Sequence, residues 1–172
     1  MAFTWIFLEA SSFADQVSSA DTFIHLVGVA HPGPAKGSLF RSIDLVSIQQ
    51  SVLAARSVGI NHFIYVSVAQ PAPVMKEYVA VRAEGERLLR ESGMNVTMVR
   101  PWYVLGPGHR WPLLLKPFYW VMEQIPTTRE QASRLGFVTI DEMIATLMAS
   151  VENPPRGVRV IEVSEMCKGG KA

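Results

Sequence analysis

The stretch HFIYVSVAQPAPVMKEYVAVRAEGERLLRESGMNVTMVRP, residues 62–101, decides the fold of this protein. Its start, 62–66, is an unbroken apolar run of the kind found in strands that are covered on both faces. A helix is predicted over 74–92, because apolar side chains recur there at helical spacing and Gly93 follows as a stop signal. A second strand is predicted over 95–99. Strand, helix and strand in this order are typical of a parallel sheet.

The same alternation continues toward the N-terminus. A strand is predicted over 23–27, closed by Gly28, and a helix over 40–58, ended by Gly59. We expect the strands that end at Val27, Val66 and Val99 to be adjacent, parallel and central in one sheet.

Toward the C-terminus, the sequence predicts a strand over 136–140, a helix from Asp141 as its cap to 151, and a last strand over 158–163. The fold class is therefore α/β, a doubly wound parallel sheet with right-handed crossovers. The whole chain, 1–172, is expected to form one domain, with 109–172 contributing a small lobe on the substrate side.

Composition excludes several classes of function. Of the 172 residues, 49% are hydrophobic and 18% are charged, which is typical of a globular domain. The net charge is +1 without a cluster of Lys and Arg, which argues against a nucleic-acid partner. The single cysteine, Cys167, leaves no internal disulfide and indicates a reducing compartment, so we expect a cytoplasmic protein.

Two apolar segments resemble targeting or membrane sequences. Residues 1–8 lack a basic leader and run into Glu9, which disfavours a signal peptide. The run 111–125 is shorter than the roughly 20 apolar residues of a spanning helix and contains Lys116 and Glu123, so no membrane span is expected. The run is interpreted as a helix packed on its own domain, and association with a surface through its aromatic side chains is the minor alternative.

A glycine-rich turn for a dinucleotide pyrophosphate is not found in the sequence. No G-x-G-x-x-G or G-x-x-G-x-x-G occurs, and Gly106 and Gly108 follow a late strand without opening a helix. We therefore expect the chain to begin part-way through the fold.

Three segments in this order resemble the short-chain dehydrogenase/reductase superfamily, in its extended or atypical branches, which include NmrA-like and epimerase/dehydratase-like proteins. They are IHLVGVAH at 24–31, HFIYVSV at 62–68 followed by EYVAVRAEGERLLRESG at 77–93, and TMVRPWYVLGPG at 97–108. The segment GFVTIDEMIATLMASVENP at 136–154 adds to the likeness. The resemblance implies a Rossmann-like fold and NAD or NADP as cofactor.

The resemblance also implies a catalytic set of Ser67, Tyr78 and Arg82. In this superfamily a tyrosine exchanges a proton with the substrate oxygen, a cation four residues later favours its phenolate, and a serine holds that oxygen. Tyr78 and Arg82 are four residues apart on a predicted helix and so share a face. We predict that the three side chains converge in one cleft at the C-terminal edge of the sheet.

Two residues depart from the family pattern. Arg82 replaces the usual lysine, and its planar fork is not equivalent to a compact ammonium group. Asp44 stands where an asparagine is common, and we expect it to pair with Arg82 if the two approach. Simpler interpretations remain open: Tyr78 as an amphipathic helix residue with a wet hydroxyl, Arg82 as a partner of Glu86, and Ser67 as a strand cap.

The cofactor-binding residues follow from the same resemblance. Pro101, Tyr103 and Val104 are expected beside the nicotinamide, and Gly28, Val29 and Ala30 beside the adenosine ribose. No metal is expected, because the four histidines lack the spacing of metal ligands, and His25 is interpreted as a hydrogen-bonded core residue.

Three functions are consistent with these patterns. The first is an NAD(P)-dependent oxidoreductase, epimerase or dehydratase-like enzyme for a small carbonyl or hydroxyl substrate. The second is a non-catalytic NAD(P)-binding sensor or assembly subunit, which Arg82 and Asp44 favour slightly. The third is an inactive, truncated remnant. Binding of the dinucleotide is expected to be weak in this chain, and a homo-oligomer is possible in each case.

Overall fold

The structure is a computed structural model, and it describes residues 8–30, 32–72, 74–106 and 135–169. Four parallel strands form the main sheet, in the order β1-β2-β3-β6. A smaller sheet pairs β4 with β5, also in parallel. The strands are β1 Thr22–His25, β2 His62–Val66, β3 Asn95–Arg100, β4 Tyr103–Leu105, β5 Phe137–Thr139 and β6 Val158–Glu162.

Helices connect these strands. The first connection holds a short helix α1 (Gly37–Leu39), a π-helical segment (Phe40–Leu45) and α2 (Val46–Ser57), which follow one another without a break. α3 (Lys76–Glu91) joins β2 to β3. α4 (Ile140–Glu152) leads to β6, and α5 (Val163–Gly169) follows it.

The sheet has an apolar core on each face. On the first face, side chains of β2 and β3 that include Phe63 and Met98 pack with Ile48 of α2 and Leu89 of α3. On the second face, Ile64 and Val99 belong to a cluster with Val138 of β5, Met143 of α4, and Val163 and Met166 of α5. Helices therefore pack on both faces, and the predicted α/β doubly wound sheet is confirmed.

The predicted strands are adjacent and parallel, but one of them is not central. β1 is the end strand of the part of the sheet that the structure describes. The apolar run at 23–27 indicated a strand covered on both faces, yet Ile24 and Leu26 are 39% and 62% exposed. An apolar strand sequence indicates that the strand needs to be buried, but it does not identify the element that covers it.

Three details of the C-terminal half differ from the prediction. Asp141 is not the helix cap: Thr139 is, through a capping box with Glu142 that the T-x-x-E pattern encodes. Val163 begins α5 and does not end the last strand. Residues 103–105, predicted as loop, form β4 because β5 is close enough to pair with it.

The segments predicted at 1–7 and 111–125 lie outside the described residues, as does most of the link between β4 and β5. How far a separate substrate-side lobe extends over 109–172 stays a prediction, while β6 within that range belongs to the main sheet. Among the described helices, none is long and apolar enough to cross a membrane. The described residues also contain no group of three His, Cys, Asp or Glu side chains arranged for a metal ion.

Candidate functional site

The candidate site lies where β1, β2 and β3 end. Because the strands are parallel, their carboxyl ends share one edge of the sheet, which is where open α/β sheets bind ligands. The backbone pairing continues past β2: Ser67 N donates to Val99 O at 2.8 Å and Ala69 N donates to Pro101 O at 2.9 Å. The segment after β2 is therefore held against the end of β3.

Arg82 is buried at this edge, with only 5% of its surface exposed. Its Nη2 donates to Asp44 Oδ1 at 2.6 Å. Its Nη1 donates to Val66 O at 3.2 Å and to Val27 O at 3.4 Å, so one guanidinium joins the ends of β1 and β2. The expected pairing of Asp44 with Arg82 is confirmed, and the alternative pairing of Arg82 with Glu86 is wrong.

Asp44 lies in the π-helical segment and is fully buried. Its second oxygen, Oδ2, accepts a hydrogen bond of 3.1 Å from Val29 N. Burial raises the pKa of Asp44, although the Arg82 charge and the Val29 bond oppose this shift. Burial alone would lower the pKa of Arg82, but its neighbours Tyr65, Tyr78 and Asp44 raise it, so the guanidinium remains charged.

Gly28 is in contact with this ion pair. A Cβ on Gly28 would overlap Arg82 Nη2 and would lie 3.1 Å from Asp44 Oδ1. A side chain there would have to displace a guanidinium that is already held by three acceptors. The glycine predicted to approach the cofactor thus allows the close approach of Arg82 in this structure.

Tyr78 lies one helical turn before Arg82 on α3, on the same face, as the spacing predicts. The Arg82 Cζ is 5.2 Å from the centroid of the Tyr78 ring, within the range of a cation–π interaction. Phe40 packs on the same ring, with centroids 5.1 Å apart. Tyr78 borders a pocket of about 100 Å³. The other lining residues are Pro32, Val68, Met75, Trp102 and Tyr103.

Ser67 is held by a different partner. Its hydroxyl donates to Glu86 Oε1 at 2.7 Å, and Ser67 itself is only 3% exposed. The structure therefore brings Tyr78 and Arg82 together, but the Ser67 hydroxyl is directed to Glu86, one turn beyond Arg82 on α3. The predicted convergence of all three in one cleft stays a prediction.

Glu86 is the centre of a buried polar network that sequence reasoning missed. Its carboxylate accepts hydrogen bonds from Gln70 Nε2 at 2.6 Å and from Arg100 at 2.8 and 2.6 Å, besides the one from Ser67. Burial opposes ionisation, but the bonds from Arg100 and Ser67 outweigh it and hold the pKa of Glu86 below its usual value. A glutamate on the apolar face of a helix is a signal that would have indicated such a partner.

The other predicted cofactor residues have partners within the chain. Ala30 O accepts a hydrogen bond from Lys36 Nζ at 2.7 Å. Pro101 O is occupied by Ala69 N, and Val104 pairs with Val138 in the small sheet. Tyr103 stacks on Phe137, with centroids 6.0 Å apart, and borders the Tyr78 pocket. Tyr103 is thus the member of this set that lines the same pocket as the predicted catalytic tyrosine.

His25 is a core residue, as expected. Its ring is 1% exposed and lies 3.1 Å from Ser51 Oγ through Nδ1. Burial, together with the nearby Arg82 charge, lowers the pKa of His25 to about 3, so the imidazole is neutral.

The fold resembles those of solved enzymes. The structure aligns with UDP-N-acetylglucosamine 4-epimerase from Bacillus cereus at a TM-score of 0.65, with 13% identity over 90% of this chain and 63% of the other. A short-chain dehydrogenase/reductase superfamily protein from Agrobacterium tumefaciens, solved with bound NAD, gives 0.63, with 13% identity over 91% and 64%. The chain has the fold of the short-chain dehydrogenase/reductase superfamily.

A curated protein is similar to this chain in sequence. It is a ceramide reductase from Caulobacter vibrioides, 26% identical over 151 residues, which are 88% of this chain and 46% of that protein. The chain therefore spans about half the length of the curated relative that it matches. No protein-family model matches the sequence.

Proposed function

We propose that this chain carries the nicotinamide side of an NAD(P)-dependent oxidoreductase, epimerase or dehydratase-like site that acts on a small carbonyl or hydroxyl compound. The observation that carries the proposal is the position of Tyr78, at a pocket on the C-terminal edge of the sheet with the buried Arg82 guanidinium 5.2 Å from its ring. The superfamily members and relatives above add support, because they include an epimerase, a reductase and an NAD complex. A cytoplasmic location is part of the proposal.

Whether a dinucleotide fits this site can be judged from the backbone N–H groups at the strand ends. The N–H groups of Val29, Ser67 and Ala69 already donate to acceptors within the chain. The pocket beside Tyr78 and Tyr103 remains, and its lining is mainly aromatic and apolar, which suits a flat ring. The described residues therefore fit the nicotinamide end better than the pyrophosphate.

The chemistry assigned to this chain is proton transfer. When bound, NAD(P) would supply or accept the hydride. Tyr78 would then donate a proton to the substrate oxygen or remove one from it. The Arg82 guanidinium lies 5.2 Å from the Tyr78 ring, and its ion pair with Asp44 fixes its position.

One observation favours the second candidate, a non-catalytic NAD(P)-binding subunit. Both Nη atoms of Arg82 donate to Asp44, Val27 and Val66, and its Nε is buried. The Nη donors are thus occupied within the chain, whereas the lysine usual at this position would bind a nicotinamide ribose. Dinucleotide binding without proton transfer is the outcome that this candidate predicts.

The test compares binding and turnover in matched tyrosine variants. Binding of NADH and NADPH is followed by fluorescence, for the 172-residue chain and for a version extended by a strand and a Gly-rich turn. We expect a Kd in the millimolar range or weaker for the chain alone, about −4 kcal/mol or less favourable, and tighter binding for the extended version.

Turnover is measured as oxidation of NADH in the presence of small aldehydes and ketones. Tyr78→Phe is expected to abolish turnover without changing binding, and Tyr65→Phe, whose hydroxyl is buried away from the pocket, is the control. Equal turnover in wild type and Tyr78→Phe would contradict the catalytic proposal. Micromolar binding of NADH or NADPH by the 172-residue chain would contradict the weak binding that is expected for it.

A further inference from the structure

One carboxylate holds both ends of segment 67–70, which follows β2. Ser67 Oγ donates a hydrogen bond to Glu86 Oε1 at 2.7 Å, and Gln70 Nε2 donates to the same oxygen at 2.6 Å. The backbone between them continues the pairing with the end of β3 through the N–H groups of Ser67 and Ala69. Segment 67–70 is therefore fixed by its side chains at both ends and by its backbone in the middle.

The side chains of segment 67–70 alternate between the two faces of the sheet. Ser67 follows Tyr65 in the same strand direction and points with it to the face on which α3 packs. Val68 points to the other side, is 3% exposed, and lines the Tyr78 pocket. Ser67 is not among the described residues that line this pocket. The side chain that the segment presents to the pocket is therefore that of Val68.

The position of the Glu86 carboxylate is set by the neighbouring strands. Arg100, the last residue of β3, donates to Oε1 from Nε at 2.8 Å and to Oε2 from Nη2 at 2.6 Å. Its Nη1 donates to Glu162, the last residue of β6, at 2.9 Å. Glu86 is 3% exposed, so water competes little for these bonds. A carboxylate that is anchored in this way can fix the other groups that donate to it.

The same bonds decide what the Ser67 hydroxyl can do. Burial alone would raise the pKa of Glu86, but the bonds from Arg100 and Ser67 hold it below its usual value, so the carboxylate is ionised at neutral pH. An ionised carboxylate only accepts hydrogen bonds, and a serine hydroxyl has a single hydrogen to donate. That hydrogen is committed to Glu86, in a charge-assisted bond that is stronger than a bond to a neutral substrate oxygen.

We propose that Glu86 is a positioning residue, which holds Ser67 and Gln70 so that Val68 forms one wall of the Tyr78 pocket. Ser67 then supports the pocket and makes no bond to the substrate oxygen. The wall is a branched apolar side chain, which suits the face of a ring or an alkyl group and offers no hydrogen bond to a hydroxyl. What the pocket binds rests on the proposed function, whereas the position of Val68 can be tested without a cofactor.

The test follows the methyl groups of Val68 by NMR, in the 172-residue chain with carbon-13 in its valine methyls. Val68→Ala assigns them, because it removes one pair of signals. Tyr78, Trp102 and Tyr103 line the same pocket, so their ring currents should shift these signals away from those of exposed valines. Glu86→Ala is expected to move the signals toward the exposed position. Glu86→Gln keeps one acceptor oxygen and should retain part of the shift.

Two further variants separate positioning from general stability. Ser67→Ala combined with Gln70→Ala removes the two bonds and keeps the ion pair of Glu86. It should move the Val68 signals as Glu86→Ala does, and it takes the place of that variant if Glu86→Ala does not fold. Glu162→Gln is the matched control, because it weakens the other ion pair of the same arginine, and it should leave the Val68 signals in place. Urea denaturation measures the stability of each variant, which a purely structural role would change without moving these signals.

Nicotinamide is the probe for the pocket itself. Its titration into the wild type should shift the Val68 methyl signals and leave those of Val52, in the core on the other face of the sheet, unchanged. Glu86→Ala is expected to weaken this binding at least about threefold. Absence of nicotinamide binding would contradict the proposed function and leave the NMR result on the position of Val68 standing.

Three results would overturn the positioning role. Val68 signals that stay in place in folded Glu86→Ala and in the double variant show that the wall does not depend on the carboxylate. An equal displacement in Glu162→Gln shows that any loss of packing moves Val68. Nicotinamide binding that is equal in the wild type and Glu86→Ala shows that the pocket does not need the wall in this position.

Discussion

Arg82 Nη2 donates to Asp44 Oδ1 at 2.6 Å in the interior of the protein, across 38 residues of sequence. The pair joins α3 to the π-helical segment at the edge of the sheet where three strands end. Removal of one member leaves a buried charge without compensation, and such a change is strongly destabilising. Substitution of either member alone is therefore expected to be strongly destabilising.

Asp44→Ala is expected to lower the free energy of unfolding by about 3–5 kcal/mol, because it leaves the Arg82 guanidinium buried without its counter-charge. Urea denaturation measures the change. The control is Glu77→Ala, which breaks the exposed Arg41–Glu77 ion pair and should cost less than about 1 kcal/mol. The double variant Asp44→Ala/Arg82→Met should cost less than the sum of the single changes, and simple additivity would contradict the coupling.

Gly28→Ala is expected to destabilise the protein by about 1–3 kcal/mol, because its Cβ would overlap the Arg82 guanidinium. Gly33→Ala is the matched control, since nothing lies within 4 Å of a Cβ there. Thermal melting of both variants measures the difference. Equal melting temperatures for the two variants would show that Arg82 moves aside at no cost.

Tyr65→Phe is expected to leave stability unchanged or to raise it by about 1 kcal/mol. The Tyr65 hydroxyl is buried without a hydrogen-bond partner, and burial raises its pKa to about 12. Denaturant titration of wild type and variant decides the sign. A loss above about 1 kcal/mol would mean that the hydroxyl makes a stabilising bond to Arg82.

The lowered pKa of His25 predicts that the protein loses stability in mild acid. The imidazole titrates near 6.5 in the unfolded chain and at about 3 in the folded protein, so the unfolded state binds more protons between these values. The free energy of unfolding should therefore fall as the pH drops through this window, by up to about 1.4 kcal/mol per pH unit.

His25→Gln isolates this contribution, because His62 has a lowered pKa as well and adds to the slope of the wild type. Unfolding is compared between pH 7 and pH 5, above the range in which most carboxylates titrate. The variant should show a shallower dependence on pH than the wild type. Parallel curves for the two proteins would rule out His25 as the source.

The sequence predicted most of the fold, because secondary structure depends on local patterns. The runs at 62–66 and 95–99 are apolar and bounded by turn signals, and both became strands at those positions. β4 was missed because three residues carry too little periodicity, and its pairing with β5 depends on a segment more than 30 residues away. The Thr139 cap was readable from T-x-x-E, and the adjacent Asp141 was chosen instead.

The contact of Tyr78 with Arg82 was predictable for the same reason. Helical spacing is enough to put Tyr78 and Arg82 on one face of α3, and the structure has them in contact. Helical spacing does not determine which residues of other elements contact that face. Ser67 directs its hydroxyl to Glu86, and Arg100 joins that carboxylate from the next strand.

The sequence by itself determined the chain order of the four main-sheet strands and of the helices that connect them, the parallel sheet, and the shared face of Tyr78 and Arg82. The tertiary structure alone decided that Asp44 and two carbonyl oxygens hold Arg82, that Glu86 holds Ser67, and that β1 lies at the end of the described sheet. Periodicity along a chain specifies which side chains point the same way, because backbone geometry is local. The partner that each side chain meets depends on how elements distant in sequence pack, and this is decided by burial and charge across the whole fold.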